Sequence, residues 1–409
     1  MKLIFISSSE YPNGGAAVNR HIAYTKGLKE LGHEIIFILL KTQQWIEKER
    51  FENKIRYIQV NPAGSSNSKI VKIKNYYKAI SNAKEKIQLE NNKKKISAII
   101  LLDTDVFGLL AFLKLAKTIG SKVFHERTEY PFVVAGKTIR GKLNLALYLR
   151  FVIKRFDGIY VINKALKRYF YEKTNGKTPI TIINMIVDPS RFENVQKLPV
   201  GDPLISYCGT LDGEKDGLSI LIHSFGIIAN EFPNVKLQLI GSLKTETTRQ
   251  KVESLIKLYN LDGRVILTGS ITSNKIPALL CNSQILVLSR PDNKQAEGGF
   301  PTKLGEYLAT GNIVVVTNVG EIKDFLTDNK NALIAEPNSA LKFAQKVKEA
   351  LTSERREEIG LEGKKLVYNE FNYLTQASIL EKMFLDSQKT TFDLFDNPKN
   401  NQREKLHNG

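Results

Sequence analysis

The stretch Glu297-Gly298-Gly299-Phe300-Pro301-Thr302-Lys303-Leu304-Gly305-Glu306-Tyr307-Leu308-Ala309-Thr310-Gly311 constrains the fold more than any other. It lies between two short apolar runs, Ile285 to Leu288 and Ile313 to Val316, which read as buried parallel strands. Leu304, Tyr307 and Leu308 recur at helical spacing, and Gly311 stands where a left-handed residue ends a helix. The order is therefore strand, glycine loop, short helix, strand. Sheets built from such units hold ligands beyond the carboxyl ends of their strands, where loops meet helix N-termini. Two glycines let backbone amides come close to a phosphate, and the flanking acids Glu297 and Glu306 suit a pair of hydroxyls. An ordinary crossover with a solvated glutamate fits this stretch equally well by itself.

At 409 residues the chain is too long for one core and calls for two or three domains. No apolar run reaches the roughly 20 residues that a bilayer-spanning helix needs. Leu3 to Ile6 is too short for a secretory leader and reads as a first strand. Cys208 and Cys281 make neither a disulfide framework nor a zinc spacing, so a reducing cytoplasm is the expected location. The formal net charge of +18 is unevenly placed. Residues 1–184 carry 33 Lys and Arg against 14 Asp and Glu, an excess of 19, while the rest of the chain is near neutral. An anionic partner for that half follows: a membrane surface, a phosphorylated acceptor or nucleic acid. No nucleic-acid module accompanies the charge.

Along the chain, a strand at 2–6 leads into a loop ending in Gly14-Gly15, a helix closed by Gly32, and a strand at 35–40. This opens a doubly wound sheet, without the G-x-G-x-x-G of a dinucleotide site. A lysine-rich helix over 69–95 and a strand at 96–102 follow. Asp103-Thr104-Asp105 at that strand's end suits helix capping better than metal binding. The strand 122–125 ends in His125 and Glu126, where this architecture puts chemistry. Residues 137–155 form a basic amphipathic helix with Leu143, Leu147, Phe151 and Ile153 as its apolar stripe. Proline-bearing residues 185–203 read as a linker. A second βα series spans 204–370, and Lys215, set among glycines at the head of a helix, suits a phosphate. A last helix over 371–386 is expected to return to the first domain, and 387–409 is polar and aperiodic, a disordered tail.

These elements together resemble glycosyltransferase family 4, retaining enzymes of the GT-B fold, over about residues 1–385. Gly14-Gly15 is similar to that family's N-terminal glycine loop, and Leu31-Gly32-His33-Glu34-Ile35 to its RGHEV turn. Asn184, Val187-Asp188 and Phe192 resemble its NGVD…F passage into the second domain. Gly209-Thr210-Leu211…Lys215 resembles its GRL…KG phosphate loop, and Glu297 to Gly311 its E-x7-E element. The chain departs from the family in two places. Thr210 replaces the arginine that grips the diphosphate, and the two acids stand nine apart, which puts Gly298 at the strict first position.

The resemblance implies an α/β GT-B chain: an acceptor-binding domain over 1–184, the linker, and a nucleotide-sugar-binding domain over 204–370, facing across a cleft. It implies transfer of a sugar, with retention, from a UDP- or GDP-sugar to a saccharide or lipid-linked acceptor at the cytoplasmic membrane face. A catalytically degenerate binding protein is the alternative. His125 would hydrogen-bond the donor sugar, Lys215 would carry the leaving-group charge, and Glu297 would face the sugar. Gly14, Gly15, Gly209, Thr210, Arg290, Gly298, Gly299, Phe300 and Lys303 would surround the donor, and Glu306 would take the ribose hydroxyls. No metal and no cofactor is expected, because lysine and helix ends would neutralise the diphosphate.

Overall fold

Apolar β-branched segments form two parallel sheets, each buried on both faces by helices, in a computed structural model. It describes residues 1–12, 15–61, 68–136, 138–196, 198, 201–211 and 214–395. The first sheet contains β1 (Lys2–Ser7), β2 (Glu34–Leu39), β3 (Glu49–Glu52), β4 (Ile55–Gln59), β5 (Ala98–Leu101), β6 (Lys122–Arg127), β7 (Gly158–Val161) and β8 (Ile180–Ile182). Its order is β3-β4-β2-β1-β5-β6-β7-β8, parallel throughout except for β3 on β4. The second contains β9 (Leu204–Cys208), β10 (Lys236–Ile240), β11 (Val265–Leu267), β12 (Ile285–Leu288), β13 (Ile313–Thr317) and β14 (Leu333–Ala335), in the order β11-β10-β9-β12-β13-β14. Both are doubly wound. The direction of winding reverses between β1 and β5 and between β9 and β12, and at such points the carboxyl strand ends leave an open crevice.

Sequence patterning missed the hairpin β3–β4. Its turn is Asn53-Lys54, both in the left-handed region at φ 51° and 62°, and lysine there lacks the usual Asn-Gly signal.

Two passes of the chain join the domains. Val187 N–H donates to Phe371 O at 2.8 Å, and Tyr373 N–H donates to Val187 O at 3.0 Å. The helix Tyr373–Phe395 then crosses back over the first domain. There a Cβ on Gly27 would lie 2.5 Å from the Ala377 Cβ, and Phe384 meets Phe124 at 4.6 Å between ring centroids. This helix continues to Phe395, past residue 387, where composition placed the start of a disordered tail. Within it, Ser387 Oγ donates to Phe384 O at 2.8 Å.

The basic helix also differs from its expected form. Ile139–Leu147 runs on through Tyr148–Val152 and Ile153–Arg155, but the predicted stripe splits. Ile153 is buried with Tyr148 and Val152, whereas Leu143 and Phe151 face solvent. A tighter or wider turn shifts which side chains share a face, and the wide turn at Tyr148–Val152 does so here. Among the described residues, no helix is long and apolar enough to cross a membrane.

Candidate active site

At the crevice of the second sheet, Lys303 lies close over the backbone of Gly209. Gly209 follows β9, and a Cβ there would lie 2.3 Å from Lys303 Nζ and 2.6 Å from Tyr207 Oη. Lys303 lies in the first turn of the helix Thr302–Ala309, and Gly311, at φ 76°, ends that unit. Its Nζ meets Asp216 Oδ2 at 2.5 Å and Tyr207 Oη at 2.9 Å. Burial pushes the Asp216 carboxyl up, but the ammonium beside it holds it below its usual value. Tyr307 pins the helix to the strand end: Cys208 N–H donates to its Oη at 2.6 Å. A Cβ on Gly305 would lie 2.3 Å from Val187 Cγ2, so the same helix also lies against the linker.

Around Lys303 the charges alternate. Glu306 Oε1 is held by Arg191 Nη1 at 2.5 Å. Arg290, buried just past β12, donates Nη2–H to Gln295 O at 3.1 Å while its Nε has no partner. Lys215 reaches across the cleft to Glu129 of the first domain at 2.8 Å. Gly217, at φ 70°, brings this loop against β12, since a Cβ there would lie 2.0 Å from Ser289 O. The domains touch again where Asn163 Nδ2–H donates to Glu297 O at 2.9 Å and Tyr130 Oη–H to Glu297 Oε1 at 3.4 Å.

Across the cleft, the carboxyl ends of β1, β5 and β6 surround a cavity of about 730 Å³. Its floor includes His21 and Glu126, two members of a buried network. Glu126 accepts from Arg20 Nε at 2.8 Å, from His21 Nε2 at 2.8 Å and from Tyr24 Oη at 3.2 Å. Tyr11 Oη meets His21 Nδ1 at 2.6 Å. Burial opposes ionisation of Glu126, yet His21 and Arg20 hold its pKa down at about 2. Arg20 also donates Nη2–H to Ile183 O at 2.7 Å and Nη1–H to Asn184 O, tying the cavity floor to the interdomain passage.

Residues 190–366 match the family model described as glycosyl transferases group 1. The second half of the chain is thus similar to the group 1 glycosyltransferases. The chain is 28% identical over 264 residues to the capsular polysaccharide biosynthesis glycosyltransferase CapM of Staphylococcus aureus, covering 61% of this chain and 67% of that one. Its fold is GT-B. The sucrose-phosphate synthase of Thermosynechococcus elongatus superposes with a TM-score of 0.72 at 16% identity, covering 96% of this chain and 99% of that one. HepE of Anabaena, solved with UDP and glucose, gives 0.71 at 13% identity, covering 94% and 100%.

Gly209, Lys215, Arg290, Gly299, Lys303 and Glu306 gather at the second-domain crevice. Gly299 approaches Arg290 (its Cβ would lie 3.4 Å from Nη2), and Thr210 is exposed beside them. Gly298 has no room for a side chain, because a Cβ would lie 2.3 Å from the Tyr130 ring. Glu297 is therefore the acid that faces the first domain, paired with Lys294 at 2.6 Å. Gly15 starts the first helix at φ 80°, and Gly14 lies outside the described residues. Phe300 turns into the core against Phe325 and Phe371. His125 requires a correction. It is fully buried, donates its Nδ1–H to Leu101 O at 2.8 Å, and stacks on Phe156 rather than lining the cavity. At that point β6 alternates faces, so Glu126 takes the cavity side that was expected for His125. Sequence reasoning also missed Arg20, His21, Arg191 and Asp216, whose partners lie far along the chain. Among the described residues, no group of three or more His, Cys, Asp and Glu side chains is placed to hold a metal.

Burial, with help from Arg127, lowers the His125 pKa to about 3. Its neutral form is the folded one, so its contribution is full above the unfolded value of about 6.5. That contribution is lost as pH falls toward 3. Glu126 acts in the same direction lower down, between its unfolded value and about 2. Melting temperature should therefore fall as pH drops from 7 to 3, and His125→Phe should flatten the decline above pH 5. An unchanged slope in the variant would show that His125 titrates normally.

Proposed function

We propose that this chain moves a hexosyl group from a UDP- or GDP-sugar, with retention at the anomeric carbon, to a saccharide or lipid-linked acceptor at the cytoplasmic face of a membrane. One observation carries the reading: Lys303 lies close over Gly209 in a crevice that also holds Arg290 and Glu306, across from a large first-domain cavity. Loss of the diphosphate leaves negative charge, and preorganised cations there stabilise it. Lys303 would exchange Asp216 for the diphosphate, and Lys215 would exchange Glu129 for it. Arg290, already unpartnered at Nε, adds a third donor and stands in for the arginine that Thr210 replaces. Glu306 would leave Arg191 to accept the ribose hydroxyls. Glu297, facing the first domain, would contact the sugar. Three cations make a metal unnecessary. The UDP and glucose in HepE and the capsular role of CapM support this donor and product class. The basic first half supports an anionic membrane surface.

Purified protein should release nucleotide from one UDP- or GDP-sugar in the presence of an acceptor extract. The product should show the donor's anomeric configuration by NMR coupling constants, and EDTA should leave the rate unchanged. Anionic vesicles should raise the rate at low salt and lose that effect at high salt. No release with any donor defeats the proposal in favour of a binding protein; inhibition by EDTA defeats its metal-independent form.

A further inference from the structure

We propose that Asn163, at the head of the helix Lys164–Thr174, is a positioning residue that sets Glu297 in place when the two domains close. The proposal rests on the transferase reading, in which Glu297 contacts the sugar. Asn163 is fully buried, and its Oδ1 accepts from Leu166 N–H at 2.9 Å, an ordinary N-cap. Its Nδ2–H donates across the cleft to Glu297 O at 2.9 Å. Aspartate would cap the helix equally well but has no N–H to donate. Capping alone therefore does not account for the amide.

The same helix reaches Glu297 by a second route. Its Tyr169 packs edge-on against Tyr130, at 5.2 Å between ring centroids, and Tyr130 Oη–H donates to Glu297 Oε1 at 3.4 Å. The Tyr130 ring also lies against Gly298, where a Cβ would come within 2.3 Å of it. Backbone and side chain of Glu297 are thus both held from the first domain. Within its own domain the carboxylate pairs with Lys294, which is 73% exposed, and exposed pairs hold geometry weakly.

The turn beneath Glu297 supplies the other half of a clasp. Gly320, at φ 57°, lies under Ala296, since a Cβ there would be 2.7 Å from Ala296 O. Beside it, Glu321 Oε1 accepts from Lys164 N–H at 2.5 Å, and Asp324 Oδ2 accepts from Lys164 Nζ at 2.9 Å. Two consecutive residues of the first domain therefore meet three carbonyl or carboxylate groups of the second. Each of these bonds is exchanged for water when the cleft opens, so the net strength of each is modest. The clasp fixes geometry without locking the cleft. Its consequence is that the sugar-facing acid is placed only in the closed state, when water is excluded.

Asn163→Asp tests this, because it keeps the cap and removes the donor. With a UDP- or GDP-sugar that wild type turns over, kcat should fall about 10- to 100-fold, the scale of a small misplacement at a reacting centre. The Kd for UDP or GDP and the melting temperature should stay at wild-type values. Lys164→Glu, at a side chain 66% exposed, disturbs the same contact without touching a buried group. It should enlarge the radius of gyration in small-angle X-ray scattering and lower kcat, and Lys164→Glu/Asp324→Lys should reverse both. A role confined to the first domain would not respond to a substitution in the second. The proposal is overturned if Asn163→Asp keeps the wild-type kcat, if its loss lies wholly in nucleotide Kd, or if the charge swap restores nothing. Should Asn163→Asp melt early, the exposed pair decides alone. Turnover that wild type shows and all the variants keep removes only the clasp; absence of turnover in wild type removes the transferase reading, and this role with it.

Discussion

Lys303→Met should slow nucleotide release in the presence of acceptor by about 100- to 1,000-fold, the cost of losing one preorganised donor to a developing anion. The effect is twofold in origin. The ammonium over Gly209 disappears, and Asp216, now without its 2.5 Å partner, presents an uncompensated charge to the diphosphate. Lys303→Met/Asp216→Asn should therefore recover part of the loss. Thermal melting of both variants separates chemistry from folding. A single variant with near-normal turnover would move the leaving-group role to Lys215 and Arg290.

Arg20→Met should cost the first domain about 3–5 kcal/mol, the penalty for leaving one member of a buried ion pair. Glu126 would keep His21 at 2.8 Å but lose its guanidinium partner, and the carbonyls of Ile183 and Asn184 would lose their donors. Urea unfolding measures the loss, and under 1 kcal/mol would mean that His21 alone satisfies Glu126. Because Arg20 joins the cavity floor to the interdomain passage, the same variant should raise the KM for acceptor more than that for donor.

Much of the framework is legible in the sequence. The runs at 2–6, 285–288 and 313–316 became strands because contiguous β-branched and leucine residues fit a position buried on both faces. Gly311 ended its helix as its spacing predicts. The hairpin at 49–59 was not legible, since Asn53-Lys54 carries no glycine. The helix past residue 387 was hidden by its polar composition, which shows no apolar stripe at helical spacing.

Local periodicity, and residues that only certain turns accept, set the order of the elements, the two windings and the phosphate-suited loop. Tertiary structure alone decided which side chains share a site. A strand end offers two faces, and a shift of one residue put Glu126 on the cavity and His125 in the core. The stretch Glu297 to Gly311 likewise shows its two acids in different settings: Glu306 is held in the crevice by Arg191, and Glu297 is turned toward Tyr130. Partners 115 and 167 residues apart leave no periodic trace in a single sequence, because their meeting depends on how the domains close on each other and not on any local preference.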